Sequence, residues 1–273
     1  MRYAYLGPAG THSHSALLSV TGPDAEVEPL ATIEEVFTAV ERGKADMGLV
    51  PIENSVEGAV NSTLDALAFD SELEIQGEVV RDIHHALCVA KGQKLENIEK
   101  IVSHPQALAQ SRRWITSHLL GKPIIAATST ADAVRMAAGE PGLAAVGSAF
   151  AAETYGAEIL FDAIEDYAGN QTRFVLIGRG MHARTGDDKT SLALFMKADR
   201  PGTLNMILSE FAYAAINLTK IQSRPTRKAL GDYMFFIDLA GHVDDENVRL
   251  ALDCLRLKLR RVKVLGSYPR AVT

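Results

Sequence analysis

Short apolar runs alternate with stretches of helical periodicity over the first two thirds of the chain. Residues 3–6 read as a strand, Gly7-Pro8-Ala9-Gly10 as a turn and 11–20 as a short helix. Residues 45–50 predict a strand, 51–55 a loop and 58–69 a helix. Strands follow at 83–90 and 101–102, and Ser103-His104-Pro105 opens a helix that runs to His118. Residues 124–127 are a strand, Ser129-Thr130 caps a helix over 131–138, 143–146 is a strand, and Ser148 caps a helix ending at Tyr155. A last strand falls at 174–177. Strands alternating with helices predict parallel or mixed sheets covered on both faces. Ligands in such folds sit beyond the carboxyl ends of the strands, so the polar loops there are where chemistry is expected.

A polar stretch with two glycines, residues 179–188, breaks this rhythm and reads as a linker. Beyond it the pattern is strand 190–196, turn Asp199-Arg200-Pro201-Gly202, helix 203–214, strands 216–222 and 233–240, helix 244–260 and strand 262–267. That order is βαββαβ, the ferredoxin-like arrangement. A small sheet of this kind leaves an edge or a face uncovered, so pairing with a second copy is expected.

Composition narrows the function classes. The chain has 273 residues, 47% apolar and 23% charged, an ordinary globular balance, and at roughly 150 residues per domain it suggests two domains. Its formal net charge of −6 argues against a general nucleic-acid binder. Cys88 and Cys254 lie in apolar segments with no zinc spacing and no disulfide framework, and read as reduced thiols of a cytoplasmic protein. The chain opens as a strand, so no signal peptide is expected, and no apolar run is long enough to span a membrane.

Four polar motifs stand at strand ends. Gly7-Pro8-Ala9-Gly10-Thr11-His12-Ser13 is a strand-to-helix turn whose backbone N–H groups can face an anion, or simply make the turn. Pro51-Ile52-Glu53-Asn54-Ser55 gathers a carboxyl, an amide and a hydroxyl before a helix. They can be helix caps, or Glu53 can donate a proton if burial raises its pKa. Ser103-His104-Pro105-Gln106 is a helix start in which His104 caps or takes part in chemistry. In Asn170-Gln171-Thr172-Arg173-Phe174, Arg173 is costly to bury unpaired; it suits bidentate recognition of a carboxylate, or a structural ion pair. Helix N-termini with one arginine describe a pocket for a small, multiply charged anion. No metal cluster, phosphate-binding Walker loop, dinucleotide fingerprint or nucleophile elbow is present.

Taken in order, Leu6-Gly7-Pro8-Ala9-Gly10-Thr11, Pro51-Ile52-Glu53-Asn54-Ser55, Ser103-His104-Pro105-Gln106-Ala107-Leu108 and Thr172-Arg173-Phe174 resemble the prephenate dehydratase family over nearly the whole chain. The C-terminal part resembles its regulatory ACT domain, with Ser223-Arg224-Pro225 in the usual place. The resemblance implies an α/β protein: a two-lobed, periplasmic-binding-protein-like catalytic domain over 1–180, a linker over 181–189, and a ferredoxin-like ACT domain over 190–273. The lobes are expected at 1–76 with 161–180, and at 77–160. No chorismate mutase segment precedes the motifs, so the resemblance is to the monofunctional form.

The implied reaction is the decarboxylation and dehydration of prephenate to phenylpyruvate in phenylalanine synthesis, without cofactor or metal. Catalytic roles are implied for Thr172, Glu53, Asn54 and Ser55, with Thr172 a positioned donor at the leaving hydroxyl and Glu53, or a water it holds, a proton source. Substrate binding is implied for Thr11, Ser13, Ser103, His104, Gln106, Arg173 and Phe174. Phenylalanine, the implied allosteric effector, falls to Gly202, Thr203, Leu204, Asn217, Gln222, Ser223, Arg224 and Pro225, in a homodimer or homotetramer joined through the ACT domain. The chain departs from the family in having His12 where Phe is usual, Gln222 for Glu, and Thr203 and Asn205 in the effector loop; the loss of the Glu charge bears on effector identity. The same chemistry on arogenate, and a non-catalytic small-molecule sensor, are the alternatives.

Overall fold

A computed structural model describes residues 1–197, 200–226 and 233–271. In chain order the first elements are β1 (Arg2–Leu6), α1 (His12–Thr21), β2 (Glu26–Leu30), α2 (Ile33–Glu41), β3 (Met47–Asn54), β4 (Gly58–Ala59), α3 (Asn61–Asp65, continued by a π-helical turn over Ala66–Asp70) and β5 (Glu74–Asp82). Next come β6 (Ala86–Val89), β7 (Lys100–Ser103), α4 (Pro105–Gln110), α5 (Arg112–His118), β8 (Ile124–Ala126), α6 (Thr130–Gly139), β9 (Leu143–Gly147), α7 (Ala149–Tyr155), β10 (Glu158–Phe161) and β11 (Gln171–Gly178). The last are β12 (Asp188–Phe195), α8 (Thr203–Tyr213), β13 (Leu218–Pro225), β14 (Tyr233–Ala240), α9 (Glu246–Lys258) and β15 (Arg261–Pro269).

Three sheets result. The first has the order β2-β1-β3-β11-β5, with β4 paired to β3; the second is β10-β6-β9-β7-β8; the third is β13-β14-β12-β15. By compactness the chain divides into two units, Met1–Val60 with Val79–Phe174, and Asn61–Glu78 with Val175–Thr273.

In the first unit the second sheet shows why its strands read as unbroken apolar runs. Ala86, Cys88, Leu143 and Ala145 face the small residues of α6 and α7, while Leu87, Val89, Ala144 and Val146 face α4 and α5. Both faces are covered, so polar alternation is absent. The expected crossings at 77 and 161 fall inside β5 and at the end of β10; the passages between the first two sheets run over 83–85 and 162–170. Residues 51–54, expected as loop, extend β3, because β4 hydrogen-bonds back onto Glu53 and Asn54. The helix expected from Ser103 to His118 is two helices broken at Ser111. The strand expected at 83–90 is the shorter β6, with β5 before it.

In the second unit, β12-α8-β13-β14-α9-β15 is the βαββαβ order, an antiparallel sheet with its core on the helix-covered face: Leu192, Leu194, Ile207, Phe211, Ile237, Leu252 and Leu255. Asp199 of the expected turn lies outside the described residues. Asn61–Glu78 packs with this sheet. Lys189 Nζ donates to both carboxylate oxygens of Glu78 at 2.7 and 2.8 Å, Lys263 Nζ to the Ser71 carbonyl at 2.6 Å, and Arg224 pairs with Asp65.

Candidate active site

A cleft of about 430 Å³ opens in the first unit, and all its lining residues belong to that unit. Three helices begin at it. Thr11, with a side chain that accepts the His14 N–H, caps α1; His104 caps α4 ahead of Pro105; Ser129 caps α6 by accepting the Asp132 N–H at 3.0 Å. Thr11, His12, Ser13, His104, Gln106, Thr128, Ser129 and Thr130 all line the cleft. Helix starts carry unpaired N–H groups and partial positive charge, which suits a carboxylate.

The glycine-rich turn is held shut on itself. Gly7 N–H donates to the Leu30 carbonyl and Gly10 N–H to His14 Nδ1, so these two N–H groups serve the loop. Gly10 has φ +80° and lies where a Cβ would sit 3.0 Å from the Tyr155 ring, so only glycine lets this turn approach α7. Tyr155 Oη in turn donates to the Ala9 carbonyl at 2.7 Å.

At the opposite wall, β3 and β11 bring Asn54 and Thr172 together. Asn54 Oδ1 accepts the N–H groups of Val56 and Glu57, which fixes its amide orientation. Its Nδ2 donates to Thr172 Oγ1 at 2.8 Å and to Asn170 Oδ1 at 2.9 Å. Thr172 accepts this bond, so its own proton is available to a ligand. The network continues: Asn170 Nδ2 donates to Gln110 Oε1 at 3.2 Å, and His85 Nε2 lies 2.9 Å from the same oxygen.

The sequence-derived candidates divide sharply. Thr11, Ser13, Asn54, His104, Gln106, Thr172 and Phe174 line the cleft. Ser103 is fully buried and donates to the Val146 carbonyl at 2.6 Å, so it braces β7 against β9 and does not line the cleft. Ser55 accepts the Gln171 N–H at 2.9 Å and locks the loop after β3 to the start of β11. Arg173 and Glu53 are not among the lining residues; Arg173 Nη2 pairs with Glu53 Oε2 at 3.1 Å. The reason is strand alternation: Thr172 and Phe174 point one way from β11 and Arg173 the other. Among the described residues the lining contains no lysine or arginine, so the arginine expected in the pocket is absent from its wall.

Sequence reasoning missed His85, Asn170, Gln110 and the α6 start as site residues, and noted His12 only as a departure. His12 is held neutral: burial, then His85, His84 and Arg81, push its pKa down to about 4. Adjacent His84 is raised chiefly by its 2.7 Å hydrogen bond to Glu165. No group of side chains among the described residues could hold a metal ion.

The Gly202-to-Leu204 and Asn217-to-Pro225 candidates lie in the second unit. Gly202, in left-handed backbone, starts α8; Asn217 accepts the Ala240 N–H; and Gln222, Ser223, Arg224 and Pro225 are on the edge strand β13. Arg224 is committed to Asp65 and Asn61.

Comparison with known proteins bears on this site directly. Residues 3–182 match the prephenate dehydratase family and residues 190–253 the ACT domain. The chain is 44% identical over 272 residues to the bifunctional chorismate mutase/prephenate dehydratase of Aquifex aeolicus, covering 100% of this chain and 74% of the relative. The crystal structure of prephenate dehydratase from Arthrobacter aurescens in complex with L-Phe superposes with TM-score 0.90 at 38% identity, covering 99% of this chain and 90% of that one. A solved structure described as GqqA, a novel type of quorum quenching acylase, superposes with TM-score 0.87 at 30% identity over 99% of this chain and 98% of its own. On the strength of the family match and these relatives, the chain belongs to the prephenate dehydratase family, with an ACT domain following its dehydratase part.

Proposed function

We infer that this chain converts prephenate to phenylpyruvate, CO2 and water, and that phenylalanine regulates it through the ACT domain. The observation that carries the reading is the Asn54–Thr172 hydrogen bond at 2.8 Å, in a cleft where three helices begin. Prephenate brings two carboxylates, which suit the starts of α1, α4 and α6. It also brings a ring hydroxyl that must leave. Thr172, its oxygen already engaged by Asn54, donates to that hydroxyl. Aromatisation of the ring drives the joint loss, so the protein's tasks are to hold geometry, desolvate the departing carboxylate and stabilise the leaving oxygen. The chemistry needs no cofactor.

Arg173 and Glu53, paired on the far side of β11 and β3, brace the strands that carry Thr172 and Asn54. Ser55 has the same supporting role. His104, Gln106, Thr11 and Ser13 bind substrate at the helix starts, and Phe174 supplies apolar wall. Phenylalanine binds at the turn before α8 and along β13, through Gly202, Thr203, Leu204, Asn217, Gln222, Ser223 and Pro225, with Arg224 anchoring the strand. Exposed apolar side chains on α8, Leu204, Leu208 and Tyr213, support pairing of ACT domains in a homodimer or homotetramer. The domain division 1–180, 181–189 and 190–273 describes the family parts, whereas 61–78 pack with the ACT sheet. The free thiols Cys88 and Cys254 support a cytoplasmic setting.

The acylase neighbour shows that one fold serves different chemistries. Acyl hydrolysis needs a nucleophile beside a base. Here the hydroxyls of Thr11, Ser129 and Thr172 bond to backbone or to Asn54, which favours the dehydratase. Incubation with prephenate, reading phenylpyruvate absorbance in alkali with arogenate in parallel, tests the assignment. Turnover of prephenate is expected; turnover of arogenate alone would move the assignment to that substrate, and binding without turnover of either would make the chain a sensor.

A further inference from the structure

The reaction consumes one proton, and among the described residues the cleft wall contains no lysine or arginine to offset a dianion. It does contain histidines. His12 Nε2 and His85 Nδ1 are buried and have no hydrogen-bond partner among the described residues. Their rings meet edge to face with centroids 6.4 Å apart, and both line the cleft. An unsatisfied buried polar atom costs about 1–3 kcal/mol, so a pair of them at a site is unusual unless a ligand or proton completes it.

The tautomer of His85 follows from its neighbours. Gln110 Nε2 points to Glu57 Oε1 at 3.5 Å, so Gln110 Oε1 is the acceptor for both Asn170 and His85. His85 therefore carries its hydrogen on Nε2 and has a free lone pair on Nδ1. Its own backbone N–H donates to Glu165 at 2.9 Å.

We propose that His85, edge-on to the ring of His12, takes up a proton when the dicarboxylate enters and delivers it to the departing hydroxide. This rests on the dehydratase reading. Two carboxylates in the cleft favour an imidazolium, and Gln110 Oε1 stays bonded to its other nitrogen. In the step, the ring-to-carboxylate C–C bond breaks and its electron pair enters the ring. The C–O bond breaks, and the hydroxide leaves as water with the His85 proton. Thr172 holds the leaving oxygen during transfer. Neutral His85 is reloaded from solvent with the next substrate.

The charged groups around the pair are Arg81 and His84, which oppose a charge on His12, Glu165, which accepts the His85 backbone N–H, and Glu57, which faces the Gln110 amide. The His12 ring, edge-on to His85, forms the neighbouring wall, which leaves Nδ1 of His85 open to the substrate.

The test begins with wild-type turnover of prephenate, so that failure of the functional reading registers by itself. His85→Gln is then expected to lower kcat about 100-fold, to raise KM because the charge that offsets the dicarboxylate is lost, and to abolish the fall in kcat that the wild type shows as pH rises through the pKa of the acid. His12→Phe, which keeps an aromatic ring, is expected to move that fall to lower pH. In weakly buffered solution at pH 8, Thr172→Ala is expected to take up one proton for each prephenate bound, and Thr172→Ala with His85→Gln to take up none. Wild-type kcat and pH dependence in His85→Gln would overturn the proposal, as would prephenate binding to Thr172→Ala without proton uptake. Should His85→Gln fail to fold, the His12→Phe profile decides: an unmoved pH dependence overturns the proposal.

Discussion

His12 shows what one side chain in an unusual place does to the molecule. Its ring is neutral because burial and nearby histidines and Arg81 push its pKa to about 4, while in the unfolded chain it titrates near 6.5. Between those values the unfolded state binds more protons, so stability falls as pH drops from 6.5 to 4. His12→Phe should remove that slope, making the variant more stable than the wild type at pH 4.5 by about 2 kcal/mol and nearly equal at pH 7.5, as read by denaturant melts at both pH values. The Glu165–His84 pair contributes to both proteins alike and cancels in the difference. At this scale the sequence was informative about residue type and silent about direction. Thr172 and Arg173 are neighbours with equal claim on a pocket, yet β11 turns one toward the cleft and the other toward Glu53. Ser103 likewise looked available and proves to be an internal brace. His85 gave no local signal, because its role depends on Gln110 and Asn170, which are 25 and 60 residues from their bonding partners.

Among elements, the approach of α6 to β9 controls one of the three helix starts. A Cβ on Gly147 would run into Val134 Cγ2 and lie 3.3 Å from the Thr130 carbonyl. Gly147→Ala should therefore push α6 outward, costing about 1–3 kcal/mol in thermal stability and raising KM for prephenate more than it lowers kcat. Differential scanning calorimetry and steady-state kinetics read the two effects. Elements with strong local signals were legible from the chain: the capped helices at Ser129 and Ser148 and the strands of the ACT sheet fall where periodicity puts them. The passage from Asp24 to Lys44 gives a weak signal. There β2 is an exposed edge strand containing Pro29, which carries little apolar pattern, although Thr32 and Glu35 form a capping pair ahead of Ile33, Val36, Phe37 and Val40. The broken helix at Ser111 and the extension of β3 through Asn54 depend on tertiary partners that no window of sequence contains.

For the whole molecule, the family parts and the compact units follow different divisions. Residues 61–78 belong to the dehydratase match but pack with the ACT sheet, through Arg224 to Asp65, Lys189 to Glu78 and Lys263 to Ser71. Asp65→Asn, which leaves Arg224 largely buried against a neutral amide, should cost about 2–4 kcal/mol, seen as a lowered melting temperature. The same variant should blunt the stabilisation that phenylalanine gives, because the strand proposed to bind it loses its anchor. Both family parts are legible in the sequence, but the packing of 61–78 with the ACT sheet is not, since ion pairs spanning 159 and 111 residues leave no local trace.

The clasp on residues 61–78 bears on how such a protein can be shortened. Cutting the polypeptide in the linker removes the cations that neutralise Asp65 and Glu78, two carboxylates with side chains only 5% and 1% exposed. A fragment ending there exposes those two carboxylates without their cations, a few residues beyond the strand that carries Asn54. Arg224 and Lys189 thus tie residues 61–78 to the ACT sheet, and a protein cut in the linker is expected to lose stability along with its sensor.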